Sequence, residues 1–98
     1  IAMLTLEQVR DKREVLIALA NRCKAENVRV FGSVARGEAN EESDLDLLVH
    51  FRDGASLFDL IDLKEEAEKL LGLDVDVVSD GGLSPYLKDR ILNEARPL

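Results

Sequence analysis

Residues 28–51 read VRVFGSVARGEANEESDLDLLVHF, with a strand signal at each end. Val28-Arg29-Val30-Phe31 is β-branched and aromatic and stops abruptly at Gly32-Ser33, the punctuation of a strand running into a loop. Polar residues through Ser43 follow, among them Gly37 and Asn40, and a short helix is expected at Val34-Arg36. Leu45, Leu47 and Val49 then alternate with Asp44, Asp46 and Leu48, which predicts a strand with one face on the core and one partly polar face. Two residues apart, Asp44 and Asp46 project from the same face, so their carboxylates can converge on one cation. Asp-x-Asp alone is a weak signal in a chain with 20 acidic residues, because a solvated strand face reads the same way.

On the N-terminal side, Thr5-Leu6-Glu7-Gln8 has the form of a capping box, and Val9, Leu16, Ala20 and Cys23 follow at helical spacing, predicting a helix to about Ala25. On the C-terminal side, Ser56 and Asp59 open a helix of about four turns whose apolar stripe includes Leu57, Leu60, Leu63, Ala67 and Leu71, with Gly72 as the stop. Val75, Val77 and Val78 make a third strand, Gly81-Gly82 a turn, and Ser84-Pro85 the start of a final helix through Leu87, Ile91 and Leu92. The order is α-β-β-α-β-α, an α/β (α+β) arrangement with a small mixed sheet flanked by helices. No repeat or linker divides it, so a single domain is expected over 3–98, with Ile1-Ala2 ahead of Met3 an expression remnant.

At 98 residues the chain builds one core but not a nucleotide lobe plus a full substrate lobe, so a second substrate must be met at an open surface. No apolar run approaches the roughly 20 residues of a membrane span. The lone Cys23 cannot form an internal disulfide and no secretory signal is legible, which points to the reducing cytoplasm. The net charge of −7 is the opposite of a nucleic-acid footprint, so direct nucleic-acid binding is not expected. An acidic protein that binds an anionic nucleotide must overcome its own field, and divalent cations held by carboxylates are one way to do so.

The segment Gly32-Ser33-Val34-Ala35-Arg36-Gly37 supplies such a nucleotide site with a plausible phosphate cradle. Glycine lets backbone approach a phosphate without a Cβ clash, Ser33 offers a hydroxyl and an amide, and a helix start would present free amides. It is neither a P-loop, which needs Lys-Ser/Thr after its glycines, nor the three-glycine dinucleotide fingerprint.

Gly32-Ser33-Val34-Ala35-Arg36-Gly37, six residues, Asp44-Leu45-Asp46-Leu47-Leu48-Val49, then Val75-Asp76-Val77-Val78, resembles the DNA polymerase β-type nucleotidyltransferase superfamily. Within it the short length is similar to the minimal nucleotidyltransferase (MNT) domains found as antitoxins beside HEPN-domain partners. The resemblance implies that Gly32 and Ser33 contact nucleotide phosphates and that Asp44 and Asp46 bind Mg²⁺, two ions being usual, while a third acid on the neighbouring strand completes the site. Asp76 is favoured over Asp74 for that third role because it lies within the apolar strand Val75–Val78. Arg36 could hold triphosphate bidentately or fix the loop by pairing with a nearby acid.

The implied reaction is attack of an acceptor hydroxyl on the α-phosphorus of a nucleoside triphosphate, with release of pyrophosphate. The implied function is transfer of a nucleoside monophosphate, AMP from ATP, to a HEPN-domain partner protein that the chain neutralises as antitoxin. The alternative is a non-catalytic antitoxin that acts by occlusion. Reading Asp-x-Asp as a phosphatase or glycosyltransferase motif is disfavoured by Gly32-Ser33 upstream. A lone minimal domain cannot enclose a substrate, so a homo- or hetero-oligomeric partner is expected to complete the cleft.

Other residues read as structural. His50 has no second His or Cys to make a metal set, Cys23 lies on the apolar side of its helix, and Ser43 caps a turn. Glu65, Glu66 and Glu68 are a solvated helix face supported by Lys64-Glu68 and Glu65-Lys69 spacing. Phe51, Phe58 and Tyr86 are core or edge residues.

Overall fold

The computed structural model describes residues 4–98; the expectation for Ile1-Ala2 lies outside the described residues. Helices α1 (Leu6–Asp11) and α2 (Arg13–Arg22) replace the single helix expected to Ala25. The capping box is present, with Gln8 N–H donating to Thr5 Oγ1 at 3.2 Å and Thr5 N–H to Gln8 Oε1 at 2.9 Å. The ladder breaks at Lys12, whose N–H bonds Val9 O three residues back at 3.0 Å, tightening the last turn of α1. The helix ends early because Lys24 turns to φ 60, which a right-handed helix cannot continue. Thr5→Ala is expected to lower stability by about 1 kcal/mol, read as a reduced urea midpoint with unchanged slope.

Strand β1 (Ala25–Phe31) leads into the five-residue helix α3 (Gly32–Arg36), which starts two residues earlier than expected. Strand β2 (Leu45–Phe51), helix α4 (Leu57–Leu71) and strand β3 (Val75–Ser79) follow, then a 3₁₀ turn (Asp80–Gly82), helix α5 (Pro85–Glu94) and strand β4 (Arg96–Pro97). Gly72 ends α4 in the left-handed conformation at φ 70, as the sequence signal required. The sheet order is β3-β2-β1-β4. Strand β2 runs antiparallel to β1 and parallel to β3, with α4 as the crossover. The sheet is therefore mixed, as anticipated.

β4, which the sequence did not announce, pairs antiparallel with β1 at the edge. It is held by Arg10 Nη2 donating to Pro97 O at 2.8 Å. The register of β1 against β2 shifts between Glu26 and Arg29, where Asn27 takes φ 53, a left-handed conformation that asparagine tolerates in a bulge.

One face of the sheet carries Val30, Leu45, Leu47, Val49 and Val75, all 1% exposed or less. These pack in one cluster with Val9 of α1, Leu16, Leu19 and Ala20 of α2, and Leu63 and Ala67 of α4. Glu68 ties α4 to β3, accepting Lys64 Nζ at 2.8 Å and Val75 N–H at 3.0 Å. Alternation sends Asp44, Asp46, Leu48 and His50 to the opposite face, which α5 only partly covers. No helix among the described residues is long and apolar enough to cross a membrane.

Candidate active site

The acids are aligned by strand register. Asp46 pairs across β1 with Phe31, the residue before Gly32, and across β2–β3 with Asp76. Paired residues on neighbouring strands share a face about 4.8 Å apart, so Asp44, Asp46 and Asp76 lie on one side of the sheet. Of the three, Asp46 sits where β1 turns into α3. Asp74 precedes β3, two residues before Asp76, and its carbonyl accepts Leu45 N–H at 3.0 Å, so its backbone fastens the start of β3 to the start of β2.

Asp46 is half-buried while Asp44 and Asp76 are exposed. Burial, then the charge of Asp76, then that of Asp44, push the Asp46 carboxyl up to about 6, with Arg36 opposing them. Half-buried and flanked by two like charges, Asp46 is the group most relieved by a cation. Among the described residues no three His, Cys, Asp or Glu side chains gather into a ready coordination set. The donor chemistry, carboxylate oxygens alone, fits a hard divalent cation such as Mg²⁺; two of the three side chains, being exposed, are free to turn toward it.

Gly32 lies directly against Asp46. It has φ +75, and a Cβ there would run into Asp46 Oδ2, with Asp46 Cγ at 3.1 Å and Asp46 Cβ at 3.4 Å. Only a glycine lets the β1–α3 turn rest on the carboxylate. Beyond it a cleft of about 330 Å³ opens, at the small end of small-molecule sites. Gly32, Ser33 and Arg36 form one wall, Asp46 lies beneath, and Leu87, Arg90, Ile91 and Glu94 of α5 form the other; Asp44 and Asp76 lie outside the lining.

Of the two roles open to Arg36, the contact present is with an acid. Its Nη1 donates to Glu94 Oε1 and Oε2 at 3.0 and 3.2 Å, and its Nε lies 3.7 Å from Glu38. The hydrogen bond to Glu94 leads the causes that raise the Arg36 pKa further. Gly32 N–H also donates to Glu94, to Oε2 at 2.7 Å. Glu94, Arg90 and the apolar pair Leu87 and Ile91 were not foreseen as site residues. The available signal was positional: residues 87, 91 and 94 share a helical face, so a glutamate continuing an apolar stripe needs a polar partner.

Elsewhere, His50 is not isolated at the strand end. Its Nδ1 lies 3.0 Å from Asp80 Oδ1, and Asp80 Oδ2 accepts Arg29 Nη2 at 2.9 Å. Cys23 is buried, and burial followed by the charges of Asp62 and Asp59 raises its thiol pKa. The Lys64–Glu68 pair forms, but Lys69 reaches Glu66 at 3.3 Å rather than Glu65. Ser43 Oγ accepts Asn40 N–H at 2.9 Å. Phe51 is half-buried, whereas Phe58 and Tyr86 are surface residues, 77% and 94% exposed.

The family of nucleotidyltransferase domains matches residues 12–98. Protein adenylyltransferase MntA of Thermococcus cleftensis is 42% identical over 98 residues, covering 95% of each chain. A solved minimal nucleotidyltransferase is 54% identical and superposes with a TM-score of 0.86 over 97% of each chain. A chain from the complex of a tri-AMPylated Shewanella oneidensis HEPN toxin with its MNT antitoxin shares the fold at 20% identity, with a TM-score of 0.68 over 90% of this chain and 69% of that one. By its sequence over residues 12–98 and by its fold, this chain belongs to the nucleotidyltransferase domain family, in its minimal form.

Proposed function

We propose that the chain transfers AMP from ATP, with Mg²⁺, to a hydroxyl of a HEPN-domain partner protein in the cytoplasm, and so acts as its antitoxin. The observation that carries this reading is the apposition of Gly32 on Asp46, which sets the β1–α3 turn against one member of a row of three carboxylates. The relatives support the finer points: one is a protein adenylyltransferase by name, and one structural neighbour comes from a complex with an AMPylated HEPN toxin.

In this reading the Gly32 amide, the Ser33 hydroxyl and amide, and the Arg36 guanidinium hold the triphosphate as individual donors. Arg90 adds positive charge from the opposite wall. Asp44, Asp46 and Asp76 hold Mg²⁺, which when bound neutralises phosphate charge and orients the reacting oxygens. The acceptor oxygen attacks the α-phosphorus, the bond to the β-phosphate oxygen breaks, and pyrophosphate leaves. The hydroxyl proton passes to a carboxylate of the row; Asp76, exposed at its edge, is placed to accept it. The open cleft leaves the acceptor side to the partner, whose surface excludes water.

Intact-mass measurement of the HEPN partner after incubation with the chain, ATP and Mg²⁺ tests this. One or more added AMP masses are expected, and none with the Asp44→Asn/Asp46→Asn variant. Tight partner binding with no added mass under any nucleoside triphosphate would replace transfer with occlusion.

A further inference from the structure

The Glu94 carboxylate sits on the same donors that the proposed function assigns to the triphosphate. Its Oε2 accepts the single Gly32 N–H at 2.7 Å, and both oxygens accept Arg36 Nη1 at 3.0 and 3.2 Å. The Glu94 side chain is only 18% exposed, so this is a seated contact. A carboxylate and a phosphate present paired anionic oxygens to the same donors. The one proton on the Gly32 nitrogen cannot fully serve both, and the two anions repel each other when they share Arg36.

We propose that Glu94 is an intramolecular competitor for the phosphate cradle, displaced when a nucleoside triphosphate binds, and that it thereby sets the nucleotide affinity. The inference rests on the reading of Gly32 and Arg36 as phosphate donors. Glu94 is the last residue of α5, and Ala95 after it is already extended at φ −64, ψ 135. Release therefore needs a rotation of the Glu94 side chain between staggered rotamers and no unwinding of α5. With Glu94 seated, the amide is masked, Arg36 is neutralised, and a fourth carboxylate adds to the field on Asp46. Displacement hands the amide and Arg36 to the phosphate oxygens and removes the Glu94 charge from beside Asp46.

A purely structural Glu94, holding Arg36 and the turn in shape, makes the opposite forecast for the same substitution. Glu94→Gln keeps the length and the acceptor oxygen but removes the charge, so the coulombic attraction to the Arg36 guanidinium is lost and only a hydrogen bond remains. A competitor so weakened raises ligand affinity; a weakened support lowers it.

The experiment is calorimetric titration of the wild-type chain, Glu94→Gln and Glu94→Asp with ATP–Mg²⁺ and, separately, with inorganic tripolyphosphate. The Gly32 amide resonance is followed by NMR. The expected result is about tenfold tighter binding of both ligands by Glu94→Gln. A smaller gain is expected for Glu94→Asp, whose shorter arm reaches the two donors less well and which serves if the Gln variant does not fold. In the wild type the Gly32 resonance should move with tripolyphosphate. Binding by Glu94→Gln where wild type shows none supports the proposal equally. Equal or weaker binding by both variants, with wild-type binding intact, overturns the competitor and leaves the nucleotide site standing. No binding by any of the three proteins overturns both.

Discussion

Gly32→Ala is expected to abolish nucleotide binding and to lower stability by about 3 kcal/mol, two terms adding. An alanine held at φ +75 costs on the order of 1–2 kcal/mol in backbone strain. The new methyl also strikes Asp46 Oδ2, and Asp46 cannot simply retreat, because Asp76 and Asp44 already repel it. Gly37 separates the terms: it has nearly the same φ, +74, but nothing lies within 4 Å of a Cβ placed there. Gly37→Ala should therefore lose only the backbone term. Thermal unfolding of the two variants should differ by several degrees for a domain of this size, and only Gly32→Ala should fail to bind ATP–Mg²⁺ in calorimetry. Equal Tm losses would show that the turn does not rest on Asp46.

What could be read in the sequence follows from which interactions are local. The period of two in Asp44–Val49 is a property of the strand alone, so it placed both aspartates on one face before any partner strand was known. The stop at Gly32-Ser33 and the stripe from Leu57 to Gly72 are equally local. Choosing Asp76 over Asp74 drew on a single local cue, burial of the surrounding valines, while the register that sets Asp76 beside Asp46 is a pairing across 30 residues. Glu94 is harder still. Its partners are 58 and 62 residues away, and no spacing rule links the end of one helix to the start of another. β4, two residues with a proline, is too short for any periodicity, and the break at Lys12 lies inside an uninterrupted apolar rhythm. The strand face that carries Asp44 and Asp46 was thus legible, and the α5 wall of the cleft beside Asp46 was not.

Asp46→Asn is expected to eliminate transfer and, at the same time, to make the metal-free protein more stable above pH 6. In the fold the Asp46 carboxyl titrates at about 6 against an ordinary 3.8, so the folded state binds this proton more tightly than the unfolded chain. The stability tied to that proton is fully present below pH 3.8 and is lost as pH rises through 6. At neutral pH the ionised group is then a liability of at most about 3 kcal/mol, reduced by the water that reaches its exposed part. Asparagine has the same shape against Gly32 and carries no charge, so the liability disappears. Other carboxylates run the opposite way. Glu68 is held below the usual range by Lys64 and the Val75 amide; in Asp80, burial is outweighed by the bonds to His50 and Arg29. For that reason the measurement is the Tm difference between variant and wild type, taken in EDTA from pH 4 to 8. It should be small at pH 4 and grow in the variant's favour between pH 4 and 7. Millimolar Mg²⁺ should then raise the wild-type Tm and leave the variant's nearly unmoved, since the cation relieves a charge that only the wild type has. A variant less stable than wild type at pH 7.5 in EDTA would mean that the Asp46 charge is already compensated within the apo fold, and that the row of acids is not held in readiness for a cation.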